Sequence, residues 1–184
     1  MAFEMKKAKP EDRAFVGKNI IVSVTFILTC GLICHMFVPD ITIPGLSDRL
    51  LFTLRCQTFS AVLLMLYIQS VAKRRRASKG INPIANYKDP FIEVMTRIVQ
   101  NTMEQFLLNF IFQMVICTYI DNVKWIILME GLFIVGRVIF LIGYLRDPVQ
   151  RAFGFATTAI PNYIAGFYCI YCFVSKSPFY ELTV

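Results

Sequence analysis

The sequence has little charge: of 184 residues, 17% are Asp, Glu, Lys or Arg, against about 25% in ordinary soluble domains. A solvated, charge-rich surface cannot be built from it, which excludes small soluble enzymes and disordered binders. The short motifs of hydrolases and nucleotide-driven pumps are missing as well, with no Walker A loop, G-x-S-x-G elbow, H-E-x-x-H helix or paired zinc motif. The single histidine, His35, has no partner at metal-ligand spacing, so no metal is expected and His35 reads as a core or interface residue. No N-x-[ST] acceptor, internal repeat or low-complexity linker occurs. What is abundant is apolar. Residues from AVILMFWYC make up 57% of the chain, 17 of them Phe, and mean hydropathy is +0.59. These values describe a membrane protein.

The formal net charge of +7 sits beside apolar runs rather than on a polar face, so it points to topology and lipid headgroups and not to nucleic acid. The six cysteines (30, 34, 56, 117, 169 and 172) lie inside apolar stretches, where they read as small packing residues and not as a disulfide framework. Cys169-x2-Cys172 has the spacing of a metal or redox half-site but no second half.

Five runs are long enough, or nearly so, to cross a hydrocarbon core that needs about 20 helical residues. They fall at 19–38, 50–72, 92–119, 123–145 and 152–175, the first reading as a retained signal anchor rather than a cleaved signal peptide. Outside the spans, Lys6, Lys7, Lys9, Arg13 and Lys18, the basic residues of 73–91, and Arg146 and Arg151 fall on one side. Arg49, Lys124 and Lys176 fall on the other. The positive-inside rule then makes the N-terminus (1–18) and both basic loops cytosolic, and the tail (176–184) lumenal. The fold class is all-α, a polytopic membrane bundle of five transmembrane helices.

Arg55, Arg97 and Arg137 lie within spans, where an unpaired charge costs at least about 2.5–3.5 kcal/mol. Arg97, Asn101 and Glu104 are spaced i, i+4, i+7 and share one helical face, and so do Arg137, Phe140 and Tyr144 at i, i+3, i+7. In the inferred topology the two faces meet at the cytosolic side, with Arg151 in the loop that follows. Such a cluster suits an anionic ligand whose carboxylates meet Arg forks. The same residues equally describe a structural network in which Glu104 pairs with Arg97 or Arg137.

Arg97-x3-Asn101-x2-Glu104, followed by Gly136-Arg137-x2-Phe140-x2-Gly143-Tyr144-x6-Arg151, resembles the MAPEG superfamily. These are the trimeric membrane proteins that include microsomal glutathione transferases and the leukotriene- and prostaglandin-forming synthases. The resemblance covers about 50–175 as a four-helix unit, with 19–38 as an additional transmembrane helix. It implies a homotrimer of the endoplasmic reticulum or secretory pathway that binds glutathione between subunits on the cytosolic side. Carried over by matched position, Arg97, Asn101, Glu104, Arg137 and Tyr144 would contact glutathione. Arg75 or Arg76 would assist from the basic loop, and Arg151 would act as the catalytic residue near the thiol. A lipophilic co-substrate would arrive from the bilayer, for transfer of glutathione or reduction of a lipid peroxide. Phe140 stands where active members carry Tyr, and Gln105 where an aromatic residue follows the Glu. The stretch Asn101-Thr102-Met103-Glu104-Gln105 and the added span look like the mattrin-type branch, which implies a non-catalytic scaffold regulating the trafficking or stability of other membrane proteins.

Four further expectations rest on position alone. Asn101, Gln105, Asn109 and Gln113 form an amide ridge that faces either the trimer axis or the interior of one subunit. Arg55 and Glu130 lie at similar depth and are expected to pair, with snorkelling by Arg55 as the alternative. The run 73–80 serves as a lipid-binding or a topogenic segment, and Leu182-Thr183-Val184 has a PDZ-like ending that the lumenal assignment argues against. Pro161 should kink its helix and free a carbonyl that Asn162 or a neighbouring helix must satisfy.

Overall fold

The computed structural model describes residues 9–78 and 89–176. Lys6, Lys7, Lys79, Lys88 and the PDZ-like ending lie outside them. Five helices follow in the expected order: α1 (Pro10–Phe37), α2 (Leu46–Arg76), α3 (Pro90–Tyr119), α4 (Lys124–Arg146) and α5 (Ala152–Lys176). Their ends have local causes. Helix α1 starts at Pro10 rather than near residue 19 because Pro at the first turn followed by Glu11 and Asp12 suits a helix N-terminus. It stops at Val38, whose extended backbone is what the following Pro39 allows. Asp89 caps α3, its carboxylate accepting from the backbone N–H groups of Phe91 at 2.9 Å and Ile92 at 3.4 Å. Helix α2 ends on Lys73, Arg74, Arg75 and Arg76, cations that complement the carbonyl end of the helix dipole.

The bundle is apolar outside and polar inside. Phe59, Leu107, Phe167 and Val174 are exposed, whereas Gln57, Ser60, Gln105, Asn109, Gln113, Glu130, Arg137 and Asn162 are buried. That is the arrangement expected where hydrocarbon, not water, is the solvent. Helices α1, α2 and α4 are individually long and apolar enough to cross a membrane. Helices α3 and α5 have the length but carry their amides and hydroxyls on buried positions, so their place depends on the neighbours that receive those groups. Two apolar clusters close the ends of the interior, Tyr67, Met95, Ile98, Phe140 and Tyr144 at one end and Ile116, Cys117, Ile126, Ala165 and Cys169 at the other.

The extra helix α1 rests mainly on α5. It buries only Ser23 and Cys34, and the Ser23 hydroxyl hydrogen-bonds that of Thr157 at 2.9 Å. At the end where α1 and α3 finish, the 38–45 and 120–123 connections are clasped together. Ile43 N–H donates to Asp121 O at 3.0 Å and Val123 N–H to Ile41 O at 2.9 Å. Two ion pairs reinforce them, Lys124 with Asp40 at 2.7 Å and the buried Arg49 with Asp121. The Asp40 carboxyl is held below the usual carboxylate range, first by its hydrogen bond from Lys124 and then by that from Asn122.

Three positional expectations change here. Arg55 does not pair with Glu130: it is exposed on the outer face of α2, and Glu130 is buried among donors of its own. Equal depth does not fix azimuth, and these two side chains leave their helices in different directions. The amide ridge turns into the interior of the chain. Gln113 accepts from Gln57 at 2.8 Å and donates to Asn109 at 3.0 Å, and Asn109 donates to Glu130 at 3.2 Å. Asn162 donates to Gln105 Oε1 at 3.1 Å, so its amide joins α5 to α3 rather than serving the carbonyl freed by Pro161.

Candidate functional site

At the end of the bundle where α3 begins and α4 finishes, a cavity of about 350 Å³ is lined by Arg97, Gln100, Asn101, Glu104, Phe140, Tyr144, Arg151 and Phe155. Three elements converge on it. The i, i+4, i+7 spacing on α3 supplies one wall, the last turns of α4 the second, and the α4–α5 turn with the start of α5 the third. Glycines set how closely these walls approach. A Cβ at Gly154 would stand 2.3 Å from Phe140 N, one at Gly136 would meet Thr158 Cγ2 at 2.6 Å, and one at Gly143 would meet Gln150 O at 2.6 Å. Two of the three, Gly136 and Gly143, belong to the motif that carries Arg137 and Tyr144, so the motif encodes the crossing as well as the polar groups.

The cationic wall is held loosely. Arg97 donates to Glu93 at 2.7 Å in an exposed i, i+4 pair, and Glu104 accepts from Gln100 at 3.3 Å on the same helix. Exposed pairs of this kind contribute about 0.3–0.5 kcal/mol, so a ligand carboxylate can replace Glu93 at little cost. Arg151 lies over the Tyr144 ring, 4.8 Å from its centroid. The structural network anticipated for Glu104 is therefore not formed, since neither Arg97 nor Arg137 pairs with it.

Arg137 occupies a different position from the other motif residues. It is fully buried behind the cavity, donating to Asn101 Oδ1 at 2.9 Å and to the Thr158 hydroxyl, with its guanidinium 4.7 Å from the Phe140 centroid. It orients Asn101 and does not itself line the space. Arg75 lies in a separate groove with Ile68 and Val99, and Arg76 is exposed at the end of α2. Within one chain neither reaches the cavity. Nearby, Asp89 ties the start of α3 to α2 through Arg74 at 2.9 Å. Burial pushes its carboxyl up, but the Arg74 guanidinium and the backbone N–H groups of Ile92 and Phe91 outweigh that and hold it below the usual range.

Gln100, Phe155 and Thr158 were not legible as site residues. Gln100 falls one position before Asn101 and could have been found from the helical face. Phe155 and Thr158 reach the site only through the close α4–α5 crossing.

The family model for the MAPEG family matches residues 55–171. The chain belongs to the MAPEG family. The match takes in most of α2 and all of α3 and α4, and leaves α1 outside. Among curated proteins, Transmembrane protein 79 of Mus musculus is 26% identical over 121 residues, covering 65% of this chain and 31% of that protein. Transmembrane protein 79 of Bos taurus is 27% identical over 121 residues, covering 65% and 30% respectively. This MAPEG chain therefore spans about a third of the length of those relatives. They are the mattrin-type branch toward which the Asn101–Gln105 stretch and the added helix point. No solved structure matches the chain.

Proposed function

We propose that this MAPEG-family membrane protein binds glutathione in the cavity at the start of α3, with that end of the bundle facing the cytosol from a membrane of the endoplasmic reticulum or secretory pathway. The observation that carries the reading is the convergence of Arg97, Asn101, Glu104, Tyr144 and Arg151 on one space. Glutathione presents two carboxylates, one ammonium and one thiol. Arg97 exchanges Glu93 for a ligand carboxylate, Glu104 receives the ammonium, and Asn101 and Tyr144 supply neutral hydrogen bonds. Arg151, placed over the Tyr144 ring, holds the thiolate, because an adjacent cation lowers a thiol pKa and raises the population of the nucleophile. Transfer then forms a sulfur–carbon bond to a lipophilic electrophile, either as a leaving group departs with its bonding pair or as a conjugated double bond opens and takes up the proton lost by the thiol. Peroxide reduction instead consumes two thiols and yields the disulfide, an alcohol and water.

In this reading the unit is a homotrimer, and Arg75 and Arg76, which lie away from their own chain's cavity, act on a neighbouring subunit. Chemical cross-linking in detergent should give a trimer ladder, and a purely monomeric product would remove that contribution.

One observation favours a second reading, a non-catalytic scaffold that regulates the trafficking or stability of other membrane proteins. Phe140 offers Arg137 a ring face and the cavity no hydroxyl. The deciding experiment is calorimetry with glutathione on detergent-purified wild type and Arg97→Ala, with thiolate absorbance recorded on the same samples. Binding lost in the variant together with a thiolate signal in wild type supports the enzyme. Binding without thiolate supports the scaffold with a retained ligand, and no binding by folded wild type overturns the glutathione reading.

A further inference from the structure

At the opposite end of the bundle, an apolar cavity of about 690 Å³ lies between α1 and the faces of α3, α4 and α5. Its walls include Leu28, Gly31 and Leu32 of α1, Leu128 and Leu132 of α4 and Ile164 of α5. Beyond it is a polar basin of about 440 Å³ walled by Asp40, Asn122 and Lys124. His35 and Trp125 border both spaces, their rings stacked with centroids 6.3 Å apart. The two volumes adjoin at these rings, giving a slot with an apolar body beside a polar mouth at the level where α1 ends. The apolar part alone falls within the roughly 300–1,000 Å³ of ordinary small-molecule sites. Leu28 and Leu32 line the slot and are themselves 67% and 58% exposed, so it opens sideways to hydrocarbon. An occupant therefore enters from the bilayer.

At the mouth Lys124 is held by Asp40 at 2.7 Å and Asn122 donates to the same carboxylate at 2.6 Å, so the two opposite charges offset one another and an uncharged head fits without upsetting that balance. Among the described residues no side chain hydrogen-bonds a ring nitrogen of His35, which leaves the imidazole nitrogens to meet a hydroxyl, itself both donor and acceptor. We propose that this slot binds an uncharged, hydroxyl-headed membrane lipid with one apolar body, of sterol or monoacylglycerol type, its hydroxyl on His35 and its body along Gly31. Because α1 lies outside the residues matched to the family, the site belongs to the added helix and is independent of the glutathione reading.

Trp125 is the single tryptophan of the chain and sits at the mouth, so it reports occupancy directly. The full chain in phosphatidylcholine nanodiscs is titrated with dehydroergosterol, with a brominated monoacylglycerol and with brominated phosphatidylcholine. Saturable quenching by either hydroxyl lipid, against a linear response to the phospholipid, is the expected result, and the lipid that saturates identifies the source. A Cβ at Gly31 meets nothing within 4 Å, so a side chain can start into the slot there, and Gly31→Leu should abolish the saturable component at unchanged helix content. His35→Phe keeps the ring stack and removes the nitrogens, which should weaken the hydroxyl lipid about three- to tenfold. Equal linear quenching by all three lipids, saturation that survives Gly31→Leu, or a Trp125 shielded from every lipid in a cross-linked oligomer each overturns the site. Undiminished affinity in His35→Phe overturns the assignment of the head.

Discussion

Helix α3 carries polar side chains along its length, yet its middle and its beginning treat them oppositely. In the middle, Asn109 and Gln113 are 2% and 0% exposed and gather with Ser60 around Glu130, each giving a hydrogen bond to a side chain of the same chain. At the beginning, Arg97 and Glu104 are exposed and bonded only along their own helix, at 2.7 Å and 3.3 Å. Asn101 marks the seam, lining the cavity on one side while Arg137 holds it from the other. The difference separates architecture from availability. Polar groups in hydrocarbon that satisfy one another fix the packing, and those held only by weak local pairs remain free for a ligand.

The comparison breaks most severely at its buried half. Glu130→Leu removes the acceptor shared by Ser60, Asn109 and Gln113 and should cost about 2–4 kcal/mol, read from thermal unfolding in detergent. Wild-type stability in that variant would mean the donors find other partners and the cluster is not architectural. Next, Gly154→Ala drives a methyl against Phe140 N, where its Cβ would stand at 2.3 Å, and should cost about 1–3 kcal/mol. Glutathione affinity should fall with it, because α5 must withdraw and take Arg151 along. Arg97→Ala sharpens the contrast from the other side, with stability unchanged within about 0.5 kcal/mol and glutathione affinity reduced about tenfold or more, as befits a charge-assisted contact. The smallest effect lies outside the membrane. Asp40 titrates below its ordinary value in the folded chain, so its contribution is present above the ordinary carboxylate pKa of about 3.9 and is lost as pH falls through the lowered value. Asp40→Asn should flatten that part of a thermal-stability profile run down to acid pH.

The order of the five helices and one face of the site were legible because hydropathy and a 3.6-residue period are both local. Spacing alone brought Arg97, Asn101 and Glu104 to one wall and Tyr144 to another. What spacing could not give was azimuth. The same period that aligned the amide ridge left its neighbour undetermined, and equal depth suggested a partner for Arg55 that its direction rules out. Arg49 is a sharper case: counted among the lumenal charges at the edge of a span, it is buried against Asp121. Its burial depends on a connection 72 residues away in the chain, which no local pattern encodes.

That connection dates the completion of the fold during synthesis. The first loop is clasped to residues 121–124, so neither Arg49 nor Lys124 can find its carboxylate until the third helix is made and the fourth has begun to emerge. A nascent chain stopped after Tyr119 lacks Asp121 and Val123, so its first loop has nothing yet to clasp. The clasp thus orders assembly in time, the first loop waiting for the turn that follows the third helix.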